Sequence, residues 1–148
     1  MGGSKWKDEQ DHQTGDVKDG VPFQPDFKQQ DEVFHGFVKR YPNIKCIARH
    51  VRYAHSCSEN SLMAYLWYDG KTYESQKLRF HILDRVGGGD AFVSGIIYAL
   101  MNEYKPQDIA DFGVAASAVK HTIHGDGNIT DDVSLIEHIM QMNFDIKR

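Results

Sequence analysis

The stretch that decides the fold is Asp84-Arg85-Val86-Gly87-Gly88-Gly89-Asp90-Ala91-Phe92, in which three consecutive glycines are followed by an aspartate. Ile82 and Leu83 precede it as the end of a buried strand, and an apolar helical pattern begins directly after it. The segment is therefore predicted to run strand, glycine turn, helix. Such a turn can direct unpaired backbone N–H groups and the positive end of a helix dipole at an anion.

The aspartate at the end of this turn leaves two interpretations open. A carboxylate repels an anion, so Asp90 makes chemical sense there if it takes a proton from a hydroxyl that attacks the anion, as in phosphoryl transfer. In the simpler interpretation, the turn is a Gly-rich connection and Asp90 is the N-cap of the helix. The spacing fits neither a P-loop, which needs a following GKS or GKT, nor the dinucleotide fingerprint GxGxxG.

The composition is that of one globular domain of 148 residues, with 41% hydrophobic and 26% charged residues. A net charge of −4 and the lack of an apolar run of about 18 residues give no reason to expect nucleic acid or a membrane as partner. Cys46 and Cys57 have no CxxC spacing, so we expect a reduced, cytoplasmic protein. No zinc-type ligand set is complete, and His50 and His55 are interpreted as loop residues.

The rest of the chain alternates between helical and extended patterns. Residues 1–20 are polar and are predicted to be a flexible lead-in to a domain formed by residues 21–148. Helices are predicted over residues 27–40, 90–104, 107–122 and 133–142. Extended segments are predicted over residues 44–51, 61–68, 71–75 and 76–83, with a polar loop over 52–60. This order predicts an α/β fold with a mainly parallel sheet, flanking helices and one β-hairpin inserted at Asp69-Gly70.

Small residues recur along the two helices that follow the glycine turn. Ala91, Gly95 and Ala99 are four residues apart and therefore share one helix face. The next helix, predicted over residues 107–122, is also rich in alanine and glycine. These two helices are predicted to pack tightly against each other.

Two motifs together resemble the PfkB (ribokinase-like) carbohydrate kinases. The family form of the turn is D-T-x-G-A-G-D-x-F with a glycine three residues further on, and here Arg85 replaces the threonine and Gly88 the alanine. The later run from Ala115 to Thr122, followed by Gly125-Asp126 and Asn128, is similar to the 2-keto-3-deoxygluconate kinases, as is the Arg-Val-Gly-Gly-Gly-Asp form of the turn. The resemblance covers about residues 44–140 and implies the C-terminal half of a ribokinase-like fold.

The resemblance implies a role for each residue of the turn. Asp90 would be the base that activates a sugar hydroxyl, and the N–H groups of Gly87, Gly88 and Gly89 would form the anion hole for the transferred phosphoryl group. ATP with Mg²⁺ would be the phosphoryl donor, and a sugar acid, 2-keto-3-deoxygluconate, the acceptor. The backbone near Asp84 and Val86 would correspond to a family site for a monovalent cation such as K⁺. The nucleotide-binding residues that the resemblance implies are Ala116, His121, Asn128 and Arg52.

The length of the chain qualifies this expectation. The kinases it resembles are about twice as long, so the chain matches only their C-terminal half. We therefore expect a partial kinase that is nearly inactive alone, completed by a missing N-terminal half or associated as a homo-oligomer through uncovered apolar surface and sheet edges. The alternative is a non-catalytic, kinase-derived module that dimerises or binds another chain.

Overall fold

The computed structural model describes residues 26–125 and 133–145, so the predicted lead-in over residues 1–20 lies outside the described residues. The helices are α1 Phe27–Arg40, α2 Gly88–Met101, α3 Pro106–His121 and α4 Val133–Asp145. The strands are β1 Cys46–Ala54, β2 Glu59–Tyr68, β3 Lys71–Glu74 and β4 Leu78–His81. No helix in these parts of the chain is both long and apolar enough to span a membrane.

The sheet is antiparallel at every described pairing, so the prediction of a mainly parallel sheet is wrong. Strand β2 is central; β1 pairs along one edge, from Cys46↔Tyr68 to Ala54↔Asn60, and β3 and β4 pair along the other. The four strands follow one another through short loops, whereas a parallel pair needs a crossover of a dozen or more residues. The helices lie before β1 and after β4, which leaves no crossover between consecutive strands.

Strands β3 and β4 form one interrupted edge. Between the pairs Leu62↔Leu78 and Tyr65↔Glu74, residues 63 and 64 of β2 face residues 75, 76 and 77, which is a β-bulge. The Ser75 N–H group donates to the Ala64 carbonyl at 2.8 Å, and the Ala64 N–H group donates to Ser75 Oγ at 2.7 Å. The buried serine thus satisfies the backbone where the regular ladder breaks.

Each face of the sheet is covered by a different layer. Leu62, Ala64 and Leu66 of β2 pack in a core with residues of α2 and α3. The alternate residues of β2, such as Met63 and Tyr65, form a second core with α1 on the opposite face. This alternation is what a strand buried on both faces requires.

Helices α2 and α3 approach each other as closely as the small residues predicted. A Cβ atom added to Gly95 would lie 2.9 Å from Ala116 Cβ and 3.1 Å from Gly113 Cα. The predicted hairpin is also confirmed, because Asp69 and Gly70 have φ of 48° and 84°, as a type I′ turn requires.

Strand β1 extends further than predicted and changes the position of two residues. It continues to Ala54, so Arg52 lies within the strand and not in the predicted loop, and His50 is no longer next to the end of the strand. Both share the parity of Ala48, which packs in the core beneath α2 and α3. His50 thus lies in a strand, as the predicted extended segment over residues 44–51 has it, whereas His55 follows the strand, with its Nε2 atom 2.7 Å from Ser61 Oγ.

Candidate active site

The glycine turn begins helix α2 with free backbone donors. Gly87 is the N-cap in the left-handed region, with φ 79° and ψ 2°, where a Cβ atom would introduce strain. The Ala91 N–H group donates to the Gly87 carbonyl at 2.9 Å as the first helical hydrogen bond. Helix geometry therefore gives the N–H groups of Gly88, Gly89 and Asp90 no acceptor within α2.

Asp90 lies in the first turn of α2 as the third helical residue, and its side chain is exposed. The N-cap is Gly87, so the simpler interpretation, in which Asp90 is only the cap, is wrong. The Asp90 carboxylate thus lies beside unpaired N–H groups but is not the N-cap of the helix. This arrangement offers a proton acceptor next to an anion-binding surface.

The imidazole of His121 fills the space above Gly88. A Cβ atom on Gly88 would lie 2.3 Å from His121 Cε1, and the Ser117 hydroxyl donates to the Gly88 carbonyl at 2.8 Å. His121 Nδ1 is 2.7 Å from the Ser117 carbonyl, which can only accept, so Nδ1 carries the hydrogen. The ring also packs on Phe80, with centroids 5.1 Å apart. The second glycine is therefore required by packing against α3.

His121 is held uncharged near neutral pH. Burial is the largest cause that lowers its pKa, and the hydrogen bond to Ser117 acts in the opposite direction. The positive charges of Arg52, Lys120 and Arg85 lower the pKa of His121 further. The glycine turn therefore has a neutral imidazole behind it and a positive electrostatic environment around it.

His50 stands on the other side of the turn, which the sequence did not predict. Its ring lies 4.9 Å from the ring of Phe92, and its Cε1 atom is 3.9 Å from the position a Cβ atom would take on Gly89. Burial lowers the pKa of His50, with further contributions from Arg52 and His121. The missed signal was the period of two that links His50 and Arg52 to the half-buried Cys46 and Ala48 before them.

A second set of contacts joins the turn to the end of α3. Asp84 Oδ1 accepts from the Val86 N–H group at 3.0 Å, and Oδ2 accepts from the Gly125 N–H group at 2.8 Å. These two bonds hold the pKa of the Asp84 carboxyl below its ordinary value. The Asp84 N–H group donates to the His121 carbonyl at 3.2 Å, and Lys120 Nζ donates to the Gly125 carbonyl at 2.6 Å.

The structure brings some of the nucleotide-binding residues implied by the resemblance together, but not all. The positive charge of Arg52 contributes to lowering the pKa of His121 beside the turn. Ala116 is buried in the contact between α2 and α3, beneath Gly95. Asn128 lies outside the described residues. Among the described residues, no three His, Cys, Asp or Glu side chains form a metal-binding group.

The comparisons with known proteins agree with this geometry. Residues 63–132 match the family model of the pfkB family carbohydrate kinases. This match bears out the resemblance to that family predicted from the glycine turn.

Individual relatives are carbohydrate kinases, and two of them are named as deoxygluconokinases. The chain superposes on a 2-dehydro-3-deoxygluconokinase from Thermotoga maritima with a TM-score of 0.74 and 27% identity, covering 82% of this chain and 37% of that one. A PfkB family carbohydrate kinase from Listeria grayi gives a TM-score of 0.65 and 32% identity, covering 75% and 34%. A 5-dehydro-2-deoxygluconokinase from Clostridium botulinum is 31% identical over 71 residues, which are 48% of this chain and 20% of the relative. The chain thus spans about a fifth of the length of this curated relative.

Proposed function

We propose that residues 21–148 form the C-terminal, nucleotide-binding and catalytic part of a kinase that transfers a phosphoryl group from ATP to a hydroxyl of a keto-deoxy sugar acid. The observation that carries the proposal is the start of α2, where unpaired N–H groups stand beside the exposed carboxylate of Asp90. An anion holder without chemistry would gain nothing from that carboxylate, whereas phosphoryl transfer to an alcohol needs both parts.

Each residue of the turn then has a separate task. Asp90 takes the proton of the sugar hydroxyl as its oxygen attacks. The N–H groups of Gly87, Gly88 and Gly89 stabilise the negative charge that develops on the transferred group. Arg52 adds positive charge next to the phosphates. Mg²⁺ bound to ATP supplies the remaining charge neutralisation.

Two acceptor sugars are supported by different relatives. We propose 2-keto-3-deoxygluconate first, because the Thermotoga maritima protein is a 2-dehydro-3-deoxygluconokinase and shares 27% identity across most of this chain. The second candidate is 5-dehydro-2-deoxygluconate, favoured by the 5-dehydro-2-deoxygluconokinase of Clostridium botulinum. Both sugars carry a carboxylate and a ketone, so discrimination between them depends on residues that contact the sugar.

The chain by itself is proposed to be nearly inactive, since it spans about a fifth of that curated relative. An ADP-release assay of the purified 148-residue chain with ATP, Mg²⁺ and each sugar acid in turn tests this. Slow or undetectable turnover with measurable ATP binding supports a partial kinase, and rapid turnover refutes it. A stable dimer without ATP affinity, found by size-exclusion chromatography and calorimetry, would instead favour a non-catalytic module.

The cytoplasmic location was predicted from the cysteine usage, and both Cys46 and Cys57 are free thiols. The K⁺ site implied at Asp84 and Val86 is not part of the proposed mechanism, because both carboxylate oxygens of Asp84 accept backbone N–H groups.

A further inference from the structure

The carbonyl groups at the end of α3 are already occupied. The pairs are the Thr122 N–H group with Val119 O at 2.9 Å, the Ile123 N–H group with Lys120 O at 3.1 Å, and the Leu83 N–H group with His121 O at 2.9 Å. A K⁺ ion is held by several oxygen atoms that converge on it in place of its water shell. The carbonyl groups beside Asp84 instead satisfy backbone donors.

Three further oxygen atoms of this corner are occupied too, on Asp84 and Gly125. Both carboxylate oxygens of Asp84 accept backbone N–H groups, those of Val86 and Gly125. The Gly125 carbonyl accepts Lys120 Nζ at 2.6 Å. The Asp84 carboxylate and the Gly125 carbonyl, two groups that could bind a monovalent cation, are therefore engaged by N–H donors and by an ammonium group.

Lys120 is an unusual residue to find in the interior. It is 1% exposed, although a buried ammonium is costly unless it is paired. It lies in the last turn of α3, where the helix dipole favours a positive charge, and its charge also acts on Asp84. The Gly125 residue is thus held from both sides, with its N–H group on Asp84 and its carbonyl on Lys120.

We infer that Lys120 takes the place of the monovalent cation: its tethered ammonium holds Gly125 against Asp84, so that this end of the nucleotide site is built without K⁺. The segment after Gly125 is the one in which the resemblance places further nucleotide contacts, such as Asn128. A charge attached to α3 would fix the start of that segment at any salt composition. The inference rests on the proposed site, but it can be tested without turnover.

The first test compares ions on the unmodified chain. Thermal unfolding is measured in KCl, NaCl and choline chloride at equal ionic strength, without nucleotide. The inference predicts the same melting temperature in all three salts at every concentration. A saturable rise with K⁺ that is missing with choline would overturn it, whether or not the protein is a kinase.

The second test removes the ammonium. Lys120→Met is expected to raise the unfolding equilibrium constant about 10- to 100-fold, as the loss of a hydrogen bond from a charged donor does. Lys105→Met is the matched control, because Lys105 is exposed and directly precedes α3. Lys120→Arg keeps the charge and should retain more stability than the methionine variant.

Hydrogen exchange distinguishes a specific hold of Lys120 on Gly125 from a general contribution of Lys120 to packing. Hydrogen exchange of the Gly125 amide should accelerate in Lys120→Met by a larger factor than exchange of the β2 amides, because only Gly125 loses its anchor. Equal acceleration of both would reduce Lys120 to a packing residue and overturn the inference. If Lys120→Met does not fold, the same comparison is made in Lys120→Arg, in which the retained charge must preserve Gly125 protection.

Discussion

Replacing Gly88 by alanine tests the packing of the glycine turn most sharply. The new Cβ atom would lie 2.3 Å from His121 Cε1 and 2.9 Å from Nε2, which is well inside van der Waals contact. The imidazole cannot yield freely, because it is 4% exposed and bonded to the Ser117 carbonyl at 2.7 Å. Gly88→Ala must therefore displace His121 or shift α2 away from α3.

The expected cost follows from these contacts. Losing the hydrogen bond between His121 and Ser117 costs about 1 kcal/mol. Forcing an extra methyl group into a packed site costs about 1–3 kcal/mol more. Alanine gains about 0.5–1 kcal/mol over glycine within a helix. The net loss for Gly88→Ala is therefore about 1–3 kcal/mol in the free energy of unfolding.

The measurement is urea unfolding followed by circular dichroism, with two comparison variants. Gly89→Ala is the matched control, because its Cβ atom would meet nothing closer than His50 Cε1 at 3.9 Å. It should be neutral or slightly stabilising. The double variant Gly88→Ala/His121→Ala removes the clash, so the alanine at position 88 should cost at least about 1 kcal/mol less there than in the parent.

Two results would refute this reasoning. Gly88→Ala could be as stable as Gly89→Ala, which would mean that His121 does not occupy the space above Gly88. Alternatively, removing the imidazole could leave the cost of Gly88→Ala unchanged, which would place its origin in the backbone of the turn.

The remaining predictions concern pH, helix packing and charge. The pKa of His121 is lowered in the folded chain, so the unfolded chain, with a histidine pKa of about 6.5, binds the proton more tightly. The free energy of unfolding should therefore fall as pH drops below about 6.5. His121→Asn should flatten that fall in urea unfolding between pH 7 and 5. Gly95→Ala should lower the free energy of unfolding in urea by about 1–3 kcal/mol, because its Cβ atom would meet Ala116 Cβ at 2.9 Å. Gly36→Ala is the control, because its Cβ atom would meet nothing within 4 Å, and it should raise the free energy of unfolding by up to about 1 kcal/mol. Equal effects would contradict the close contact of α2 and α3. Arg52→Gln should weaken Mg·ATP binding about tenfold in calorimetry and reduce its salt dependence, and unchanged affinity would remove Arg52 from the phosphate site.

Local signals made part of the fold predictable. Asp26 caps α1 by accepting the Lys28 N–H group at 3.0 Å, and Asp69-Gly70 forms the predicted turn. The start of α2 could be recognised because three glycines and an apolar helix follow one another in sequence. Each of these features depends on residues that are close in sequence, so the local sequence is enough to predict it. The prediction that Ile82 and Leu83 end a buried strand is wrong, because β4 ends at His81 and Leu83 is 61% exposed.

Features that depend on distant residues were less predictable. Strand direction is fixed by which strands pair, and the short loops between β1, β2, β3 and β4 allow only antiparallel pairing without a crossover. The length of β1 was hidden because Arg49, His50 and Arg52 obscure its alternation of apolar residues. The contact of His121 with Gly88 joins two helices, and no spacing within either helix announces it.

The central claim is that Asp90 acts as a base beside the anion-binding turn. It is tested by introducing Asp90→Asn into a form of the kinase that phosphorylates a sugar acid. Turnover and Mg·ATP affinity are both measured on that variant. Asp108→Asn is the matched control, because Asp90 and Asp108 are each the third residue of their helix. We expect Asp90→Asn to lower kcat about 10²- to 10⁴-fold while Mg·ATP binds equally or more tightly, since a repelling carboxylate is gone. An unchanged kcat, or an equal loss in Asp108→Asn, would contradict the claim.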